Sequence, residues 1–124
     1  EGCAYTPSDL VSRSDRTVVA DLNRGELPPG DFDVVAILGT LEFVYDVGAL
    51  LAAIQRRAGL AIVTYCARTS DDLDKRLEKG FVNDFTRDEL VLLCQKNGWQ
   101  VVGAERLVPG PGFDQWLFAL RRSE

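Results

Sequence analysis

The apolar positions of this chain fall into runs of two kinds. Residues 32–38, FDVVAIL, are apolar except for Asp33. Such a run predicts a strand buried on both faces, as in a parallel sheet. Gly39-Thr40 ends the run, and residues 41–46 form a turn. Asp46 then caps a helix whose Val47, Leu50, Leu51, Ala53 and Ile54 share one face. Gly59 is a candidate C-cap, and residues 60–65, LAIVTY, predict the next buried strand. Strand, small-residue turn, acid and helix together make the ligand edge of an α/β sheet. The whole span from 32 to 65 has the size of a βαβ unit.

The flanks follow the same alternation. Residues 2–6 are short and apolar and predict a strand, closed by the turn signal Pro7-Ser8-Asp9. Residues 10–16 are polar and too short for a standard crossover helix. Residues 17–20, TVVA, predict a second strand, with Asp21-Leu22-Asn23 at its end and a Pro28-Pro29-Gly30 loop beyond. Connections this short are in tension with parallel pairing. Downstream, residues 70–78 predict a short helix with Leu73 and Leu77 inward, followed by an aromatic loop through Phe81, Asn83 and Phe85. Thr86 and Glu89 form a capping box. The helix it starts turns Leu90, Leu93 and Cys94 inward and stops at Asn97-Gly98. Residues 99–107 and 113–122 predict two strands joined by Pro109-Gly110-Pro111-Gly112, an antiparallel hairpin. The class is therefore α/β. It is a Rossmann-like, mostly parallel sheet with helices on its faces and a C-terminal antiparallel hairpin, one domain over residues 1–124.

Composition narrows the chemistry. Hydrophobic residues make up 46% of the 124, enough for a core, and the net charge of -5 argues against a nucleic-acid-coating surface. No window is apolar enough for a membrane span. Cys3, Cys66 and Cys94 lack CxxC spacing, so neither a disulfide framework nor a metal site is expected; they read as reduced, mostly buried thiols of a cytoplasmic protein. Histidine is absent. Proton chemistry must then use Asp, Glu, Tyr, Lys, Cys or water.

In order, the chain carries an acid after the first strand (Asp9), an acid after the second followed by a Pro-rich loop (Asp21, Leu27-Pro28), and FDVV-x-x-L-G-x-L-E-x-V-x-D. An amphipathic helix, an apolar strand, a helix ending Asn-Gly-Trp and a terminal hairpin follow. This resembles the class I S-adenosylmethionine-dependent methyltransferases of small-molecule type, with their FDVVxxxxxLEHV-like motif. The resemblance implies a sheet of order 3-2-1-4-5-7-6 with strand 7 antiparallel, of which this chain would hold strands 2 to 7. It implies S-adenosyl-L-methionine as cofactor. Asp9 would accept from the two ribose hydroxyls, a charge-assisted arrangement suited to a vicinal diol. Asp21 would accept from the adenine amino group, and Leu22 would meet the ring. Leu38 and Gly39 would lie beside the methionyl part. Glu42 would sit at the mouth as the catalytic candidate, in competition with a solvated first-turn acid. Tyr65, Phe81, Asn83 and Phe85 are the acceptor-side candidates, with core packing as the rival for Tyr65.

The sequence departs from that family in three places. Strand 1 and its GxGxG loop do not occur in these residues. Phe43 stands where the family commonly has His, and the link from Asp9 to Thr17 is short. The resulting expectation is the C-terminal portion of a longer methyltransferase acting on a small molecule, inactive by itself, with sheet edges open to homodimer formation. The alternative is a non-catalytic methyltransferase-like module for packing or protein interaction. A flavodoxin- or dehydrogenase-type domain is disfavoured by the hairpin and the missing glycine fingerprint.

Overall fold

A computed structural model of the protein describes residues 3–124. The chain divides into two compact units, the first ending at Gly30 and the second running from Asp31 to Glu124.

In the first unit two very short strands, β1 (Ser8–Asp9) and β2 (Val18–Val19), pair in parallel. The expected strand at residues 2–6 is not formed by residues 3–6, and Gly2 lies outside the described residues. Asp9 thus belongs to a strand rather than following one. The link between β1 and β2 contains no helix. Side chains hold it instead: Arg13 Nε donates to Asp9, the Arg13 and Ser14 amides donate to Thr17 Oγ1, and Arg16 Nη2 donates to Tyr5 O at 2.8 Å. A 3-10 turn, Leu22–Arg24, follows β2. Asp21 caps it by accepting from the Asn23 amide, and Gly25 closes it at φ 76°.

The second unit is a four-stranded sheet of order β3-β4-β6-β5, built from β3 (Phe32–Ile37), β4 (Ala58–Arg68), β5 (Trp99–Pro109) and β6 (Phe113–Arg122). β3 and β4 are parallel; β6 runs antiparallel to both β4 and β5. This is the 4-5-7-6 end of the expected order, with its antiparallel last strand inserted. Between the strands lie a 3-10 turn (Leu41–Phe43), α1 (Val47–Gln55), α2 (Asp74–Glu78) and α3 (Arg87–Lys96). Both capping expectations hold. Asp46 accepts from the Ala49 amide at 2.9 Å, and Thr86 and Glu89 complete a reciprocal capping box.

The helices form because their apolar stripes have somewhere to go. Val47, Leu50, Leu51 and Ile54 of α1 are buried, as are Leu90 and Cys94 of α3. Each large aliphatic side chain so placed contributes about 1.5–3 kcal/mol. On β4 the alternate residues Ala61, Val63, Tyr65 and Ala67 are at most 1% exposed. Trp99 is buried, and its Nε1 donates to Leu51 O at 2.9 Å, joining β5 to α1.

Four expectations change here. β3 is not buried on both faces: Val34 is half exposed, and Asp33 and Ala36 are exposed as well. Gly59 is no C-cap but part of β4, and Arg56 closes α1 in a right-handed helical conformation. β4 begins before residue 60 and runs on to Arg68, because β6 is long enough to pair with it through Arg68↔Phe113. In α2 the inward residue is Arg76, while Leu77 is exposed. The Cys expectation also changes in part, since Cys3 is exposed and Cys66 is partly so.

Candidate functional site

Of the cofactor candidates, Asp9, Asp21 and Leu22 belong to the first unit. The Asp9 carboxylate is 41% exposed. Its Oδ1 accepts from the Leu10 amide at 2.6 Å and its Oδ2 from Arg13 Nε at 3.2 Å. The Arg13 guanidinium, then the Leu10 amide, hold this carboxyl below the usual Asp value. Each oxygen keeps a lone pair for a further donor. Asp21 is tied more locally: its Oδ1 accepts from the Asn23 amide at 3.0 Å, and its own amide donates to Glu26 Oε1 at 2.8 Å. Leu22 is half-buried in the turn it starts.

Leu38 and Gly39 lie just past β3 in the second unit. Leu38 is 58% exposed. Gly39 takes φ 64°, its amide donates to Thr64 Oγ1 at 2.8 Å, and a Cβ built there would meet nothing within 4 Å. The bend is a left-handed one that glycine adopts without penalty, and the space beside it is open to a ligand.

Glu42 is buried, not solvated, with 2% of its surface exposed. Its Oε2 accepts from the Cys66 amide at 2.7 Å, and its Oε1 has no hydrogen-bond partner among the described residues. This follows from the length of β4. Past Val63, β4 has β6 as its strand neighbour but no further partner in β3. The Cys66 amide therefore needs another acceptor, and the 3-10 turn after β3 supplies a carboxylate.

Three of the four acceptor-side candidates meet at a single hydroxyl. Tyr65 is fully buried; its O–H donates to Asn83 Oδ1 and its oxygen accepts from Arg76 Nη2 at 2.9 Å and from the Phe85 amide at 3.0 Å. Asn83 Nδ2 donates to Leu41 O and Val44 O, both at 2.8 Å, and the Val82 amide donates to Glu42 O at 2.8 Å. Phe81 stands edge-on to Phe43 at 5.6 Å and to Phe113 at 5.8 Å. Burial pushes the Tyr65 phenol up to about 12, more than the nearby Arg76 cation lowers it. Tyr65 is thus a neutral hydrogen-bonding hub at ordinary pH.

Arg76 was not among the candidates. It sits in DKRLEKG, where a run of charges reads as a solvated face, and nothing in the spacing marks it. Yet it is 2% exposed and donates to Cys66 O at 2.6 Å, to Asn83 O at 3.1 Å and to Tyr65 Oη. Thr64, which holds the Gly39 bend, was likewise unforeseen.

No family model matches the chain, and no curated protein sequence matches it. Solved structures do. Burkholderia thailandensis 1,6-didemethyltoxoflavin-N1-methyltransferase, with its substrate and S-adenosylhomocysteine bound, is similar with a TM-score of 0.72 at 19% identity, over 94% of this chain and 60% of that one. The [4+2]-cyclase SpnF is similar with a TM-score of 0.69 at 14% identity, over 89% of this chain and 57% of that one. An S-adenosylmethionine-dependent methyltransferase from Mesorhizobium loti gives a TM-score of 0.67 at 16% identity, over 86% of this chain and 68% of that one. The chain therefore has the fold of the class I methyltransferases, and it spans somewhat over half the length of these structures. A cyclase among them illustrates that this fold alone does not fix the reaction. No helix of the described residues is long and apolar enough to cross a membrane.

Proposed function

We propose that this chain is the C-terminal portion of an S-adenosyl-L-methionine-dependent methyltransferase that acts on a small molecule. The observation that carries the proposal is the sheet order β3-β4-β6-β5 with its antiparallel inserted strand, in a chain whose fold is similar to methyltransferases of known structure. On this reading Asp9 accepts from the cofactor ribose, Asp21 and Leu22 receive the adenine, and Leu38 and Gly39 flank the methionyl part. In its own unit the partly exposed Asp9 carboxylate keeps lone pairs for hydroxyl donors, and in the other unit the space at Gly39 is open. Bound cofactor supplies an electrophilic methyl group on a sulfonium, whose leaving group is a neutral thioether. No acid is needed to expel it, so positioning and desolvation can carry most of the catalysis.

Glu42 is the proposed proton acceptor for a hydroxyl or amine acceptor, through Oε1. Its other oxygen is committed to the Cys66 amide. Tyr65, Phe81, Asn83 and Phe85 shape the acceptor side. Tyr65 contributes by holding the loop, since its hydroxyl is fully engaged.

A second reading has one observation in its favour. Glu42 completes the β4 edge as a backbone partner would, which suits a non-catalytic packing module as well as an enzyme. Calorimetry with S-adenosylhomocysteine, on this chain and on the full-length protein, separates the two. Binding by the full-length protein alone is the expected result. Absence of binding by both overturns the enzyme reading.

A further inference from the structure

We infer that Arg76 is a positioning residue: its guanidinium fixes residues 81–85 onto the Leu41–Phe43 turn, and so sets the surface that Phe43 and Phe81 offer to the methyl acceptor. The part concerning the acceptor rests on the function proposed above; the clamp itself does not.

Arg76 is a buried cation, and among the described residues no carboxylate lies within ion-pairing distance of it. Burying an unpaired charge is costly. Here dipoles and rings compensate for it. Three donors reach Cys66 O, Asn83 O and Tyr65 Oη, while the guanidinium carbon lies 5.0 Å from the Phe81 ring centre and 5.5 Å from that of Tyr65. A buried apolar side chain would anchor a five-residue helix at lower cost. What the guanidinium adds is direction, because its donors are fixed in one plane. One donor binds strand β4, one binds the backbone at Asn83, and one binds the hydroxyl to which the Phe85 amide also donates.

From there the restraint passes to the turn after β3. Asn83 reaches Leu41 O and Val44 O, and the Val82 amide reaches Glu42 O. Phe81 is consequently held edge-on to Phe43, a ring 45% exposed. The aliphatic residue of α2 adds little here, since Leu77, next to Arg76, is 70% exposed. The polar network therefore works together with the ring contacts of Phe81 in this segment.

The test is site-resolved amide hydrogen exchange on the full-length protein, with S-adenosylhomocysteine calorimetry in parallel. Arg76→Ala should speed exchange at Val82 and Phe85 by about tenfold or more, the loss expected when charge-assisted hydrogen bonds are removed. Leu90 and Cys94 in α3 should stay unchanged. Guanidinium ion, far below denaturing concentrations, should restore protection; methylammonium should not, because only a planar set of donors fills all three directions. Arg76→Lys keeps the charge and most of the side chain but not the planar set of donors, so it should loosen the same amides; it decides the matter if Arg76→Ala does not fold. Unchanged exchange at Val82 and Phe85, or equal rescue by methylammonium, overturns the proposal. A wild-type protein that does not bind S-adenosylhomocysteine overturns the methyl-transfer reading instead, and the exchange result then decides the clamp by itself.

Discussion

Glu42 and Arg76 hold the same residue along one edge of β4. Glu42 Oε2 accepts from the Cys66 amide, and Arg76 Nη1 donates to the Cys66 carbonyl. A carboxylate and a guanidinium take the places that a neighbouring strand's carbonyl and amide would fill. Just beyond, the Arg68 amide donates to Phe85 O at 2.9 Å. The far end of β4 is thus finished by side chains and a loop.

Removing the carboxylate should show this role directly. Glu42→Ala leaves the Cys66 amide buried without an acceptor, a loss of about 1–3 kcal/mol. Glu42→Gln keeps an oxygen for that amide and should destabilise less. Urea unfolding of the two variants measures the difference. An alanine variant as stable as the wild type would show that the hydrogen bond contributes nothing.

Alkaline pH should weaken the fold over a defined range. Burial raises Cys66 from 9.0 to about 11, Cys94 from 9.0 to about 12 and Tyr65 from 10.0 to about 12. In each case the folded state keeps its proton longer than the unfolded chain. Stability is therefore fully present below about pH 9 and falls as pH rises toward 12. The urea midpoint should be level from pH 7 to about 9 and decline above it. A Tyr65→Phe, Cys94→Ala double variant should decline less steeply. A wild-type midpoint that is constant up to pH 11 contradicts the assignment.

The three thiols should separate in reactivity. Cys3 is exposed, Cys94 is buried, and Cys66 lies between. At pH 8 a thiol titrating near 11 is ionised in about one molecule per thousand, and thiolate is the reactive form. A thiol-exchange reagent should label Cys3 rapidly, Cys66 slowly because little of it is thiolate, and Cys94 only as fast as the protein opens. Rapid labelling at Cys94 in the native protein would mean that the inner face of α3 is not held against the core.

Gly39→Ala tests the proposed cofactor edge. The added Cβ meets no atom, but the φ of 64° is unfavourable for alanine by about 1–2 kcal/mol. Stability should drop by that amount. S-adenosylhomocysteine affinity of the full-length protein should drop more than tenfold, because the methyl group occupies space assigned to the ligand. Unchanged affinity removes Gly39 from the site.

Much of the architecture was legible because local signals and packing agree. The 32–65 unit, both helix caps and the Pro-Gly hairpin each combine a turn chemistry with an apolar period, and the structure follows them. What escaped was decided by distant residues. The extension of β4 to Arg68 depends on its pairing with β6, and nothing in CAR announces a strand. Glu42 reads as a solvent-facing acid because its acceptor duty arises from the free end of β4, more than twenty residues later. Leu77 and Arg76 exchange roles for the same reason: hydrophobicity favours Leu77, while the unmet carbonyl of Cys66 and the hydroxyl of Tyr65 call for a donor. Tyr65, Asn83 and Phe85, three of the residues expected on the acceptor side, are joined through one hydroxyl, while Arg76, which also binds it, carries no signal in the sequence.

The side-chain finish of β4 has one more effect. A strand that outgrows its neighbour normally shows a row of free amides and carbonyls, and such a row recruits strands from other molecules. Here the groups at Cys66 and Arg68 are already occupied by Glu42, Arg76 and Phe85. That stretch gives a passing chain no template for cross-strand growth, so the same contacts that shape the loop also guard the protein against self-association at its longest parallel strand.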